Sequence, residues 1–348
     1  MASMSSDTSQ RVAIIGAAAT PIGRLTPRHE TTPSGLEHDI LSDVTARALS
    51  DAGIGPGDVD AVVFTQNPPT TRQLGFGSFM TAQLGLACRG LVTEVSQLGL
   101  TGGIAFDQAA AQVQLGQADY SLAMGVVRQS QGDLNTAMDF GIRAVGDVNF
   151  QSPFAIPPIG WYALDCARYM HDHGASREDI ARVAVKSREF ASLNPLAQFR
   201  KPLDLEQVLE QRPIVEPLGL LEVPARADGA ICLVICAENT ARDSGRPYVV
   251  VSGRGFCHEG YHQIGDHPHD MTAFPSAGEA VNTALGEAGA GLDDIDLAEL
   301  YAPCTITEIL VTEAIGLFER GEGVHALQEG LTSLRGEKPV NTSGGCLS

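Results

Sequence analysis

Aromatic residues are scarce in this chain, at 5% with a single Trp, and so is positive charge: 23 Lys and Arg stand against 42 Asp and Glu. The net charge of −19 excludes nucleic acid or an anionic membrane surface as the main partner. No apolar run approaches the roughly 18 residues that a spanning helix needs. Residues 1–10 (MASMSSDTSQ) hold no apolar core, so they read as a disordered lead-in rather than a signal peptide. The seven cysteines (88, 166, 232, 236, 257, 304, 346) show no CxxC spacing and their count is odd, which points to reduced thiols and a cytoplasmic location. Histidines 258, 262, 267 and 269 come without a cysteine or carboxylate set at metal spacing, so no metal site is expected.

What remains is an ordinary folded α/β composition, 43% hydrophobic with 38 Gly and 19 Pro over 348 residues, enough for two compact domains or one large two-part domain. The chain is organised around residues 91–127. An apolar run (91–95) enters a turn at Gly99, Gly102 and Gly103, and a helix of small and apolar residues follows. Gly116 closes the helix, and a second apolar run (120–127) leads away. A helix so short of charge between two strands reads as central, sandwiched between sheets. The glycines at its start let a ligand or another backbone come close, or serve tight packing alone.

Strands are expected at 11–16 and 61–65, with an amphipathic helix at 39–52 stopped by Gly53. The phrase then returns. Ala48-Leu49-x-x-Ala52-Gly53 with Asp58-Val59-Asp60 is matched by Ala284-Leu285-x-x-Ala288-Gly289 with Asp294-Ile295-Asp296, at a constant shift of 236 (284 − 48 = 296 − 60). Residues 12–16 answer 248–253 and residues 61–65 answer 297–301. Two copies of one strand–helix–strand unit follow, with parallel sheets covered by helices on both faces. Val95-Ser96-Gln97-Leu98-Gly99 is answered by Val340-Asn341-Thr342-Ser343-Gly344. On this alignment the second copy lacks its central helix and closing strand, and the native chain is expected to continue past Ser348 or to have that end supplied otherwise.

Residues 129–224 are of different character. A proline-rich turn (151–158) precedes a helix at 161–173 stopped by Gly174, and Ser176 with Asp179 forms a capping box for a helix at 177–192. Arg168, Arg177, Arg182, Lys186, Arg188, Arg200 and Lys201 gather here. Such a cluster in an acidic chain suits a phosphate-bearing ligand, or equally a solvated helix face paired with Glu178 and Glu189. Residues 225–237 return to a buried strand after an Asp228-Gly229 turn.

The doubled unit, the central helix after a glycine turn and the mid-chain insertion together resemble the thiolase superfamily. The specific stretches are PARADGA (224–230), YAPCT (301–305), GLFERGEG (316–323) and PVNTSGG (339–345). NPLAQF (194–199) and IVEPL (214–218) resemble the sterol-carrier-protein-x thiolase branch, which includes lipid-transfer-protein-type aldolases of steroid side-chain degradation. The resemblance implies an α/β thiolase-like fold, two repeated βαβ halves in a layered α-β-α-β-α arrangement with an inserted loop domain. It divides the chain into the lead-in 1–10, an N-terminal half 11–128, an inserted cap 129–224, a return strand 225–245 and an incomplete C-terminal half 246–348.

Two departures from thiolases stand out. The family's nucleophilic cysteine falls on Gly99, and Cys88, some ten residues upstream, reads as a buried thiol. Where thiolases place Asn or His after the second-copy strand, this chain has Tyr301, as the related aldolases do. The resemblance therefore implies retro-aldol cleavage of a β-hydroxyacyl-CoA to a ketone and a shorter acyl-CoA. A phenol can donate to the developing enolate, or shuttle its proton if the site lowers its pKa from about 10. On position alone Tyr301 reads as a half-buried strand-end tyrosine that packs. Backbone N–H groups at Gly344 and Gly345 are candidates for the thioester oxyanion hole. Tyr261, His262, His267 and His269 lie where the aldolases carry a further tyrosine, and Arg182, Lys186, Arg188, Arg200 and Lys201 are candidates for the CoA phosphates. No cofactor is implied beyond the CoA of the substrate. A homodimer and a small zinc-ribbon/OB-fold acyl-CoA-binding partner are expected by resemblance. The alternatives are a thiolase or acyltransferase, and a non-catalytic acyl-CoA-binding subunit.

Overall fold

A computed structural model of the chain describes residues 10–25, 35–66, 73–130, 133–258 and 270–348. In chain order the elements are β1 (Val12–Ala19), α1 (Gly35–Ala52), β2 (Ala61–Gln66), α2 (Phe76–Gln83), β3 (Val92–Val95), α3 (Thr101–Gln114) and β4 (Tyr120–Arg128). The insertion carries α4 (Leu134–Ala144), α5 (Pro158–His173), α6 (Arg177–Leu193), α7 (Leu205–Leu209), β5 (Pro213–Val215) and β6 (Leu218–Gly219). Then follow β7 (Asp228–Ala237), α8 (Glu238–Asp243), β8 (Val249–Val251), α9 (Pro275–Ala288), α10 (Thr305–Ala314) and α11 (Gly323–Gln328). The expected strands and helices are present, most with ends moved by three residues or fewer, except the second-copy strand at 297–301, which the structure reduces to one isolated bridge at Ala298. The lead-in, apart from Gln10, lies outside the described residues.

Contacts divide the chain into two compact units, residues 1–132 with 227–252, and residues 133–226 with 253–348. The first holds a six-stranded sheet in the order β3-β2-β4-β7-β1-β8. Period-two alternation sorts its side chains: Val62, Phe64, Leu122, Met124 and Val126 face α1 and α2, whereas Val63, Ala123 and Ile235 face α3. The inner face of α3 is Ala105, Ala109, Ala110 and Val113, small enough to bring the helix axis close to the strands. The sheet is mixed rather than parallel: β2 runs parallel to β3 and β4, but the β4–β7, β7–β1 and β1–β8 pairs are antiparallel. The crossover rule binds only strands joined by a single helix, and β7 returns to the sheet from the insertion instead.

The second unit takes its core from the insertion. Cys166, Tyr169, Ile180, Val183, Ala184 and Leu218 enclose Ile306, Ile309 and Leu310 of α10. Helix α10 is buried almost all round, and it carries two acids, Glu308 and Glu313, into that core. The insertion and the C-terminal half are thus one folded body.

The repeat is visible in its punctuation. Gly53 and Gly289 both close their helices in the left-handed region, at φ +71° and +66°. Gly55 N–H donates to Asp58 at 2.8 Å, and Gly291 N–H donates to Asp294 at 2.8 Å. A β-carbon on Gly16 would run into the carbonyl oxygen of Ala48, and one on Gly253 into that of Ala284, the matched residue. Val62 pairs with Val92 in parallel, and Ala298 with Val340 in parallel. Among the described residues this last pairing is a single bridge.

Candidate active site

Tyr301 ends the second-copy strand phrase, and the turn at 340–345 holds that phrase in place. Ala298 N–H donates to Pro339 O at 3.0 Å, Asn341 N–H donates to Ala298 O at 2.8 Å, and Leu300 N–H donates to Asn341 Oδ1 at 2.7 Å. The exposed Glu299 carboxylate accepts from Thr342 Oγ1, Ser343 N and Ser343 Oγ at 2.7–2.9 Å. Asn194, from NPLAQF, donates to Ser343 O at 2.9 Å. Extended backbone alternates its side chains, so Tyr301 follows Glu299 outward and is 53% exposed. Its hydroxyl makes no hydrogen bond among the described residues.

Around that phenol lie groups that hold their protons. Helix α5 brings Tyr162 to it and the turn into α10 adds Cys304. Cys166, one turn further along α5, is buried with its thiol directed at Met170 Sδ, 4.0 Å away. Burial raises Tyr301, with Cys346 and Cys304 as lesser causes. Burial also raises Tyr162 well above its ordinary value, and the neighbouring Tyr301 adds to it. Cys304 rises for the same first reason, and Cys166 is pushed up to about 12. Cys346 is raised by burial, against a hydrogen bond from the Ala302 main chain that pulls the other way. At neutral pH this is a set of O–H and S–H donors with no thiolate among them. It can stabilise a developing oxyanion, but a shuttle through the Tyr301 phenolate is disfavoured, because the site raises its pKa rather than lowering it.

The glycine backbone expected to form an oxyanion hole is otherwise engaged. Gly344 N–H donates to Asn341 O at 2.9 Å and Gly345 N–H donates to Ser343 Oγ at 3.2 Å, so neither is free to meet a substrate oxygen. Both residues have positive φ, +99° and +62°, as a reversal this tight requires.

The basic cluster also divides. Lys186 is buried, pairs with Glu308 and donates to Val340 O at 3.2 Å. Arg188 is buried, donates to Leu347 O at 3.1 Å and lies over the Phe199 ring at 4.4 Å. These two are interior fittings, not phosphate ligands. Arg182 pairs with Glu178 one turn away, while Arg200 and Lys201 are exposed. Tyr261, His262, His267 and His269 lie outside the described residues.

In the first unit the structure describes the turn that carries Gly99. A short 3₁₀ turn (Leu98–Leu100) leads into α3, with Leu98 at φ +49° and Thr101 Oγ1 accepting from Gln97 N at 2.7 Å. Gly99 sits exposed within it, and no atom would meet a β-carbon at Gly102 or Gly103. Cys88 is half-buried and raised by burial, packed against the sheet core as an inert thiol.

Sequence reasoning overlooked Asn341, Glu308 and Tyr162. A signal existed for Glu308: an acid amid TITEILV has no wet face to occupy. Tyr162 carries no such mark, because a tyrosine on a buried helix face ordinarily packs.

Comparison with known families places this geometry. A thiolase N-terminal domain model matches residues 12–216, and a thiolase C-terminal domain-like model matches residues 258–348. The chain belongs to the thiolase family. This thiolase-family chain is 30% identical to the steroid side-chain-cleaving aldolase of Thermomonospora curvata, over 96% of its own length and 85% of the relative's. It is also 30% identical to an acetyl-CoA acetyltransferase of Methanothermobacter thermautotrophicus, over 96% and 84%. A solved structure, the Ltp2-ChsH2(DUF35) aldolase, matches with a TM-score of 0.82 at 28% identity, covering 97% of this chain and 85% of that one. Within the superfamily the chain stands in the sterol-carrier-protein and side-chain-aldolase branch. No described helix is long and apolar enough to cross a membrane.

Proposed function

We propose that this thiolase-fold protein is a carbon–carbon lyase that cleaves a β-hydroxyacyl-CoA by a retro-aldol step, with a steroid side-chain thioester as the substrate class. One observation carries the reading: the residue heading the helix where the family's acyl-accepting sulfur belongs is Gly99. A base removes the β-hydroxyl proton, the Cα–Cβ bond breaks to leave a ketone, and its electron pair forms the thioester enolate. Protonation at Cα then gives the shorter acyl-CoA. Atoms balance without a co-reactant, and no cofactor enters beyond the CoA of the substrate. Tyr301 donates its phenolic hydrogen bond to the enolate oxygen, a role suited to a group whose pKa burial raises.

The aldolase among the relatives and the aldolase structure support this reading. The acetyltransferase relative supports acyl transfer instead. That route needs a thiolate, and burial pushes Cys166, Cys304 and Cys346 away from ionising. A homodimer working in the cytoplasm with a small zinc-ribbon/OB-fold acyl-CoA-binding partner goes with the lyase reading. The solved neighbour supports the partner, since its own name joins Ltp2 to a DUF35 protein.

Incubation with a panel of β-hydroxyacyl-CoA esters, with and without such a partner, tests the proposal by release of ketone plus shorter acyl-CoA. Tyr301→Phe should lower that rate about 10²–10³-fold, as loss of one oxyanion donor does. Full activity in the variant removes the role given to Tyr301. A covalent acyl-enzyme trapped on a cysteine would establish acyl transfer in its place, and tight acyl-CoA binding without turnover would indicate a binding subunit.

A further inference from the structure

The main chain just before Tyr301 is held by one buried side chain. Asn341 is 2% exposed; its Oδ1 accepts the Leu300 N–H at 2.7 Å and its Nδ2 donates to Glu308 Oε2 at 2.8 Å. Its own N–H donates to Ala298 O at 2.8 Å, and its φ is +56°, a region that asparagine tolerates better than most residues. Behind it the second oxygen of Glu308 takes Lys186 Nζ. A buried ion pair of this kind is weak support for stability, since an apolar pair of similar volume often does as well. It does supply a fixed acceptor aimed at Asn341 Nδ2. An amide has one donor end and one acceptor end, so anchoring the nitrogen turns the oxygen toward Leu300.

We infer that Asn341, oriented by Glu308 and Lys186, is the positioning residue for the Tyr301 phenol: by gripping the Leu300 N–H it fixes the strand end from which Tyr301 projects. The inference rests on the reading of Tyr301 as the donor to the enolate. Asn341 touches no substrate. It acts through Tyr301, and a displacement of about 1 Å in such a group can cost 10²-fold in rate.

Asn341→Gly keeps the left-handed backbone accessible and removes only the amide. Its kcat for β-hydroxyacyl-CoA cleavage should fall about 10–100-fold with KM little changed. The tyrosinate absorbance assigned to Tyr301, by difference from Tyr301→Phe, should titrate at a shifted pH. The double variant Tyr301→Phe with Asn341→Gly should be no slower than Tyr301→Phe alone. Asn341→Asp sets two carboxylates face to face and should also lose kcat. Adding Glu308→Gln to it exchanges donor and acceptor, and should restore both kcat and the Tyr301 titration. A folded Asn341→Gly with unaltered kcat and unaltered Tyr301 titration overturns the inference, as do losses that multiply in the double variant. If Asn341→Gly does not fold, the exchanged pair decides: recovery of folding without recovery of the Tyr301 titration overturns it. Full cleavage by Tyr301→Phe would sink the lyase role of that phenol, while the absorbance titration would still answer for Asn341.

Discussion

The two copies of the repeated unit begin alike and are held together differently. In the first, β2 lies between β3 and β4 with a hydrogen-bonded ladder on both sides. In the second, the matching phrase has one parallel bridge among the described residues, and the rest of its order comes from side chains: Asn341 on Leu300, Glu299 on the 342–343 turn, and Lys186 with Glu308 behind them. A ladder spreads its support over many equivalent bonds. A side-chain lattice concentrates support in a few groups, and that is where the second copy carries Tyr301.

Lys186→Met breaks the lattice at its buried charge and should give the largest stability effect. Glu308 would lose its counter-charge in the core, at a cost of about 3–5 kcal/mol, read as a lower denaturant midpoint. Glycine at the matched strand–helix crossings comes next. Gly16→Ala and Gly253→Ala each drive a methyl into a helix carbonyl, so each should lose about 1–3 kcal/mol. The control is Gly286→Ala in α9, where a β-carbon meets nothing; it should gain about 0.5–1 kcal/mol. Equal behaviour of Gly253 and Gly286 would break the correspondence between the copies.

The smallest effect concerns pH in the first unit. His38 packs against Phe76 and Phe79, its Nε2 finds no partner among the described residues, and burial lowers its pKa. The unfolded chain then binds a proton more readily than the folded one. The contribution of neutral His38 is present above pH 6.5 and is lost as pH falls through its lower folded pKa. In His38→Leu, stability should change less between pH 7 and pH 5, measured by urea unfolding at each pH.

Much of the fold was legible in the residues themselves. Val62-Val63-Phe64 and the shift of 236 between Gly53 and Gly289 depend on local periodicity and turn chemistry, which a chain carries along its length. That residue 99 is a glycine and residue 301 a tyrosine was equally open to reading. The supports behind Tyr301 were not, because Asn341 and Glu308 meet across 33 residues and Lys186 and Glu308 across 122. Nor does composition tell which cations are exposed: Lys186 and Lys201 are the same residue type in one basic cluster, yet the first is sealed in a core and the second is wet. The direction of β7 was missed because a strand returning from an insertion obeys no crossover rule.

Helix α4 and the stretch after it turn Leu134, Met138, Val148, Phe150 and Phe154 outward, the two phenylalanines at 76% and 72% exposure. Water alone would drive such surfaces together. In a molecule carrying −19 charges, mutual repulsion at low ionic strength keeps copies apart. Salt shortens the reach of that repulsion to about 8 Å at physiological strength, leaving the oily side chains unguarded at close range. The protein is therefore expected to disperse in dilute buffer and to turn cloudy as sodium chloride or sulfate is added, a practical rule for anyone concentrating it.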